Sequence, residues 1–141
     1  MDLKLREEDL AFQQEVRAFI NEYWPAEVRD ARSTATRFEE SGGHAPEVRR
    51  WIDGLNEKGW AVPNWPAEWG GTNWSPTQKY IWDKETAGAE CPQLSAFGAR
   101  MLAPVLYTWG TDAQKDRFLP LIREERMIWC QGYSEPGAGS D

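Results

Sequence analysis

The period of the apolar residues changes once along this chain, and that change constrains the fold more than any other feature. Up to Arg126 the apolar side chains recur at helical spacing between capping residues; from Met127 to Ser134 they alternate. Ile128, Cys130, Gly132 and Ser134 fall on one side of an extended chain, and Trp129, Gln131 and Tyr133 on the other. Glu135-Pro136 then breaks the strand, and Gly137-Ala138-Gly139-Ser140 forms a loop almost without side-chain bulk. Such a loop lets backbone N–H groups approach an anion or an aromatic ring. The expectation is an all-α bundle with a β overhang.

The helices are delimited by their caps. Arg6–Trp24 reads as the first, with Leu10, Val16, Phe19, Ile20 and Trp24 mostly on one face and Pro25 at its end. Ala26–Gly43 is polar and without apolar period, so a long linker with at most a short helical turn is expected. Pro46–Lys58 places Val48, Trp51, Ile52 and Leu55 at i, i+3, i+4 and i+7, and Gly59 suits its C′ position. Asn64–Asn73 is a loop rich in Pro, Gly and Trp, with Gly70-Gly71 supplying the turn. Ser75 as N-cap and Pro76 as N1 start a helix to about residue 90. Gln93–Arg100 is a short helix dense in small residues, Ser95, Ala96, Gly98 and Ala99, which suit either helix packing or close approach of a ligand. Pro104 separates it from another short helix, Leu102–Trp109. Thr111-Asp112-Ala113-Gln114 is a capping box for a sixth helix that packs through Phe118-Leu119 before Pro120, and Leu121–Arg126 is a charged connector.

Composition excludes several classes. The 141 residues suit one domain, 40% hydrophobic and 28% charged, hence globular. No apolar run approaches the roughly 20 residues of a membrane span, and the N-terminus carries no signal-like apolar region. The first helix bears Glu7, Glu8, Asp9 and Glu15 on its polar face, the wrong charge for a membrane-surface helix. A net charge of −7 argues against nucleic-acid partners. Cys91, Cys130 and His44 cannot make an ordinary zinc site, and two cysteines 39 positions apart give no disulfide framework, so reduced thiols and a cytoplasmic location are expected. His44, a lone loop histidine, is a poor catalytic candidate. Glu85 and Glu90 stand five apart, out of alignment on a helix, so no acid–base pair is indicated. Trp51, Trp82 and Trp109 fall in helical patterns and read as packing residues; Trp65, Trp69 and Trp74 crowd one loop that should rest on something larger.

Taken whole, Trp129-Cys130-Gln131-Gly132-Tyr133-Ser134-Glu135-Pro136-Gly137-Ala138-Gly139-Ser140-Asp141 resembles the flavin-binding motif of acyl-CoA dehydrogenases. Gly59-Trp60, Trp65-Pro66-Ala67-Glu68-Trp69-Gly70-Gly71 and Gly110-Thr111-x-x-Gln114-Lys115 stand upstream in the family's order, so the resemblance covers about the whole chain. It implies a six-helix N-terminal domain, residues 1–126, followed by the truncated start of the middle β-domain, residues 127–141. It implies FAD as cofactor, contacted by Gln131, Tyr133, Ser134, Gly139 and Ser140, with Ser134 placed to hydrogen-bond the pyrimidine side of the ring. An acyl-CoA substrate would meet Ser140, Ser95, Ala96 and Ala99. The implied reaction is α,β-dehydrogenation of the thioester, with electron transfer flavoprotein as acceptor and a homo- or hetero-oligomer, a tetramer in the family. The catalytic glutamate is expected in a C-terminal domain that this chain lacks, so the chain alone is expected to be inactive. A non-catalytic helical module of a split flavoprotein complex and an acyl-CoA oxidase are the alternatives.

Overall fold

A computed structural model describes residues 5–31 and 44–139. Six α-helices are present among the described residues: α1 (Glu7–Tyr23), α2 (Ala26–Ala31), α3 (Pro46–Lys58), α4 (Pro76–Gly88), α5 (Ala103–Trp109) and α6 (Asp112–Arg123). The all-α class expected from the sequence is what the chain adopts. It divides into two compact units, Met1–Gln93 and Leu94–Asp141.

In the first unit α1 lies against α3 and α4. Val16, Phe19 and Ile20 of α1, Val48, Trp51, Ile52 and Leu55 of α3, and Ile81 and Trp82 of α4 are buried together with Trp60, Val62 and Trp65 from the intervening loop. Phe12, one turn before Val16, takes the core position expected of Leu10, which is exposed. The core is dominated by rings. Trp51 and Trp82 lie parallel within 3°, their centroids 6.5 Å apart, and Trp74 meets Phe12, Trp60 and Trp82 within 5.5 Å. The Trp51 indole N–H donates to the Pro92 carbonyl at 2.9 Å. The tryptophan-rich loop thus rests on the aromatic core of its own unit. Gly71 is required there, because a Cβ on it would stand 1.6 Å from the Trp65 carbonyl oxygen. The polar segment after Pro25 opens with the short helix α2, and the rest of the expected linker lies outside the described residues.

The second unit departs from expectation in three places. Pro104 does not separate two helices. A π-helical turn, Phe97–Leu102, runs straight into α5, and the Ala103 N–H donates to the Gly98 carbonyl, five residues back. The wider turn ends at Ala103 and leaves Pro104 in the first turn of α5, where a proline is tolerated. Secondly, α6 continues through Pro120 to Arg123, so the first half of the expected connector is helix. Thirdly, residues 127–134 form no strand. Alternation alone does not make a strand: the ladder needs a partner, and among the described residues none is paired with this segment. Trp109, expected to be a packing residue, is 83% exposed.

Candidate functional site

The candidate site residues all lie in the second unit, apart from Ser140, which is outside the described residues. From Arg126 to Gly139 every residue is exposed except Trp129. Gln131, Tyr133, Ser134 and Gly139 are therefore presented outward, Tyr133 at 77% exposure. A turn follows. The Ala138 N–H donates to the Glu135 carbonyl at 2.9 Å, with Pro136 at the first central position and Gly137 at the second, φ +86°. Proline then positive-φ glycine is the signature of a type II turn. The turn folds Gly139 back on Ser134: a Cβ on Gly139 would lie 3.9 Å from that of Ser134. A Cβ on Gly132 or Gly137 would meet nothing within 4 Å. The Ser134 side chain and the Gly139 backbone are thus brought close on an exposed segment.

Ser95, Ala96 and Ala99 lie at the start of the π turn, with Ala96 exposed and Ser95 and Ala99 half-buried. The buried member of the small-residue stretch is Gly98, which faces Trp129 and Ile122. Close packing therefore takes Gly98, while its small neighbours stay accessible. The Ser95 backbone N–H donates to the Glu125 carboxylate, and Glu125 itself takes φ +47° just beyond α6. Sequence reasoning does not single out Gly98, Glu125 and Trp129 as positioning residues. Their signal is indirect: a glycine among small residues on one element and a bulky ring on another.

Elsewhere, Glu85 is a compensated carboxylate. The Glu85 carboxylate accepts from Arg17 at 2.7 and 3.0 Å and from Gln13 at 2.6 Å. The Arg17 hydrogen bond outweighs partial desolvation and holds the Glu85 carboxyl below its ordinary range. A carboxylate held ionised by arginine is a poor general base. Burial pushes the Cys91 thiol up to about 12, so it is inert, whereas Cys130 is exposed; both are free. No group of three metal-ligating side chains occurs among the described residues. None of their helices is long and apolar enough to cross a membrane.

With the helical domain and its exposed Ser134-to-Gly139 turn described, comparisons with known proteins give the family. Residues 6–125 match the family profile "Acyl-CoA dehydrogenase, N-terminal domain". The chain belongs to the acyl-CoA dehydrogenase family. It is 44% identical over 96 residues to the acyl-CoA dehydrogenase IpdE1 of Mycobacterium tuberculosis, covering 67% of this chain and 25% of the relative. It is 34% identical over 129 residues to the acyl-CoA dehydrogenase FadE26 of the same organism, covering 90% and 31%. Among solved structures, the ChsE4-ChsE5 complex from Mycobacterium tuberculosis matches with a TM-score of 0.71 and 29% identity, over 99% of this chain and 33% of that one. A structure described as "Tcur3481-Tcur3483 steroid ACAD" matches equally well, with 99% and 34% covered. The chain thus spans about a third or less of the length of these proteins.

Proposed function

We propose that this chain is the N-terminal part of an FAD-dependent acyl-CoA dehydrogenase that introduces an α,β double bond into an acyl-CoA thioester. The observation that carries this reading is the turn that brings the Ser134 side chain close to Gly139 on an exposed segment, at the end of a domain of this family. The donors there fit a flavin edge. Ser134 offers a hydroxyl and Gly139 a backbone N–H group, and Gln131 and Tyr133 are exposed on the same segment. Bound flavin would supply the acceptor for the β-hydrogen. Ser140 would meet the thioester arm, and Ser95, Ala96 and Ala99 would give the acyl chain a wall of low bulk. No residue of this chain acts as base; that carboxylate belongs to the remainder of the protein, as do most of the flavin contacts.

One structural neighbour is described as the ChsE4-ChsE5 complex and another carries a two-part name, which favours a hetero-oligomer of unlike subunits over a free-standing module. One is described as a steroid ACAD, so thioesters of polycyclic acids belong in the substrate panel beside fatty acyl-CoAs. Electron transfer flavoprotein is the proposed acceptor and the cytoplasm the proposed location. The test is purification of the complete protein with any co-expressed partner, followed by its visible spectrum and an acyl-CoA-dependent dye reduction assay. A yellow protein that reduces the dye is expected, and oxygen consumption in place of dye reduction would indicate an oxidase. Ser134→Ala should weaken flavin binding by about 0.5–1.5 kcal/mol, the worth of one neutral hydrogen bond. A colourless protein, inert toward every thioester, overturns the reading.

A further inference from the structure

Trp129 is the one residue between Arg126 and Gly139 that is not exposed, and the way it is seated is unusual. Its ring meets Phe118 edge-on, with centroids 5.6 Å apart and planes at 82°. Its other neighbour is the bare backbone of Gly98. A Cβ there would stand 2.9 Å from Trp129 Cδ1 and 3.1 Å from Ile122 Cγ2, closer than a side chain tolerates. The indole N–H is buried with no acceptor among the described residues. A buried donor left unpaired opposes the seating, so shape and apolar contact alone hold the ring. Glu125 adds a second tie, through its carboxylate to the Ser95 N–H. Both ties join the exit of α6 to the same short stretch of chain, residues 95–98.

We infer that Gly98 and Trp129 form a socket and anchor that position the segment 130–139 against the stretch bearing Ser95, Ala96 and Ala99. The inference rests on the flavin reading above for its consequence, but not for its geometry. With Trp129 seated, the Ser134–Gly139 turn starts five residues from a fixed point. The flavin edge and the wall offered to the acyl chain then keep one register. Trp129 and Gly98 touch neither ligand in this scheme; they act through the residues that do. The edge-on contact with Phe118 needs a ring rather than an indole, so phenylalanine at position 129 keeps the contact and drops the unpaired donor.

Two arms test this. The first uses no cofactor. Cys91 is buried and its thiol pushed up to about 12, so a nitroxide reagent at neutral pH labels Cys130, next to the anchor. In the 141-residue chain the label should be partly immobilised. Trp129→Ala and Gly98→Ala should both sharpen its spectrum, while Trp129→Phe should not, with circular dichroism showing helix retained in each. An equally mobile label in wild type and Trp129→Ala overturns the anchor. The second arm uses the complete protein. Trp129→Ala should release FAD roughly tenfold more readily, a change of about 1.4 kcal/mol, and shift its visible spectrum, and Trp129→Phe should restore both. A freed label with unaltered FAD affinity and spectrum overturns the positioning role. If the wild-type protein holds no FAD, the flavin reading fails by itself, and the label still decides whether the anchor exists.

Discussion

Glu85 shows what one residue can reveal and conceal. Its spacing from Glu90 already excluded a carboxylate pair, and the two residues do different things in the structure. Glu90 takes φ +52° just past α4, while Glu85 turns back to α1. That Arg17 and Gln13 would be its partners was not legible, because the contacts span 68 and 72 residues of sequence. The pH consequence follows from the sign of the shift. Arg17 lowers the Glu85 pKa in the folded state, so the stabilisation is complete above the unfolded value and is lost as pH falls through the folded one. Melting temperatures recorded from about pH 7 to about pH 3 should therefore decline toward acid, and Glu85→Gln should flatten part of that decline. Arg17 is more than half exposed, so the effect is modest. An acid limb unchanged in Glu85→Gln would show that the ion pair stabilises nothing.

Elements were legible where their instructions are local. The expected start at Ser75 is observed: its hydroxyl accepts from the Gln78 N–H, and the Ser75 N–H donates to the Gln78 side-chain oxygen. Thr111 and Gln114 repeat the arrangement on α6. Ser75→Ala and Thr111→Ala should each cost about 1 kcal/mol in denaturant unfolding. Gly71→Ala should cost more, about 1–3 kcal/mol, because the new methyl meets a backbone carbonyl that must move. Costs in the reverse order would mean that the loop around Trp65 yields more easily than a helix cap. Elements were illegible where a tertiary condition decides. Pro104 looked like a helix breaker because its sequence does not announce the π turn before it. Alternation over 127–134 marks residues that suit a strand, but pairing is non-local and the described residues do not provide it. The site divides the same way. The Ser134-to-Gly139 turn was readable from Pro136 and Gly137, whereas the socket at Gly98 depends on a ring 31 positions later.

At the scale of the whole molecule, the two units differ in what they leave uncovered. The first buries most of its tryptophans and exposes few large apolar side chains, Leu10 and Tyr80 among them. The second exposes Phe97, Met101, Val105 and Trp109, which recur every four residues through the π turn and α5, and also Met127, Ile128 and Tyr133. For a chain spanning about a third or less of its relatives, such surface is what further parts of a larger protein would cover. In the isolated chain it should drive self-association. Fully burying a large apolar side chain is worth about 1.5–3 kcal/mol, and these are already partly covered, so about 1 kcal/mol each is a fair figure. Seven such residues then only match the roughly 4–15 kcal/mol cost of association. The expected behaviour is accordingly weak and reversible, with average mass in light scattering rising with concentration through the micromolar range. Trp109 is the most exposed of the set, and Val105 lies one turn before it on α5. Trp109→Ser with Val105→Ser should therefore return the chain toward monomer without loss of helix by circular dichroism. A wild-type chain that stays monomeric across that range would mean that this surface is tolerated by water as it stands.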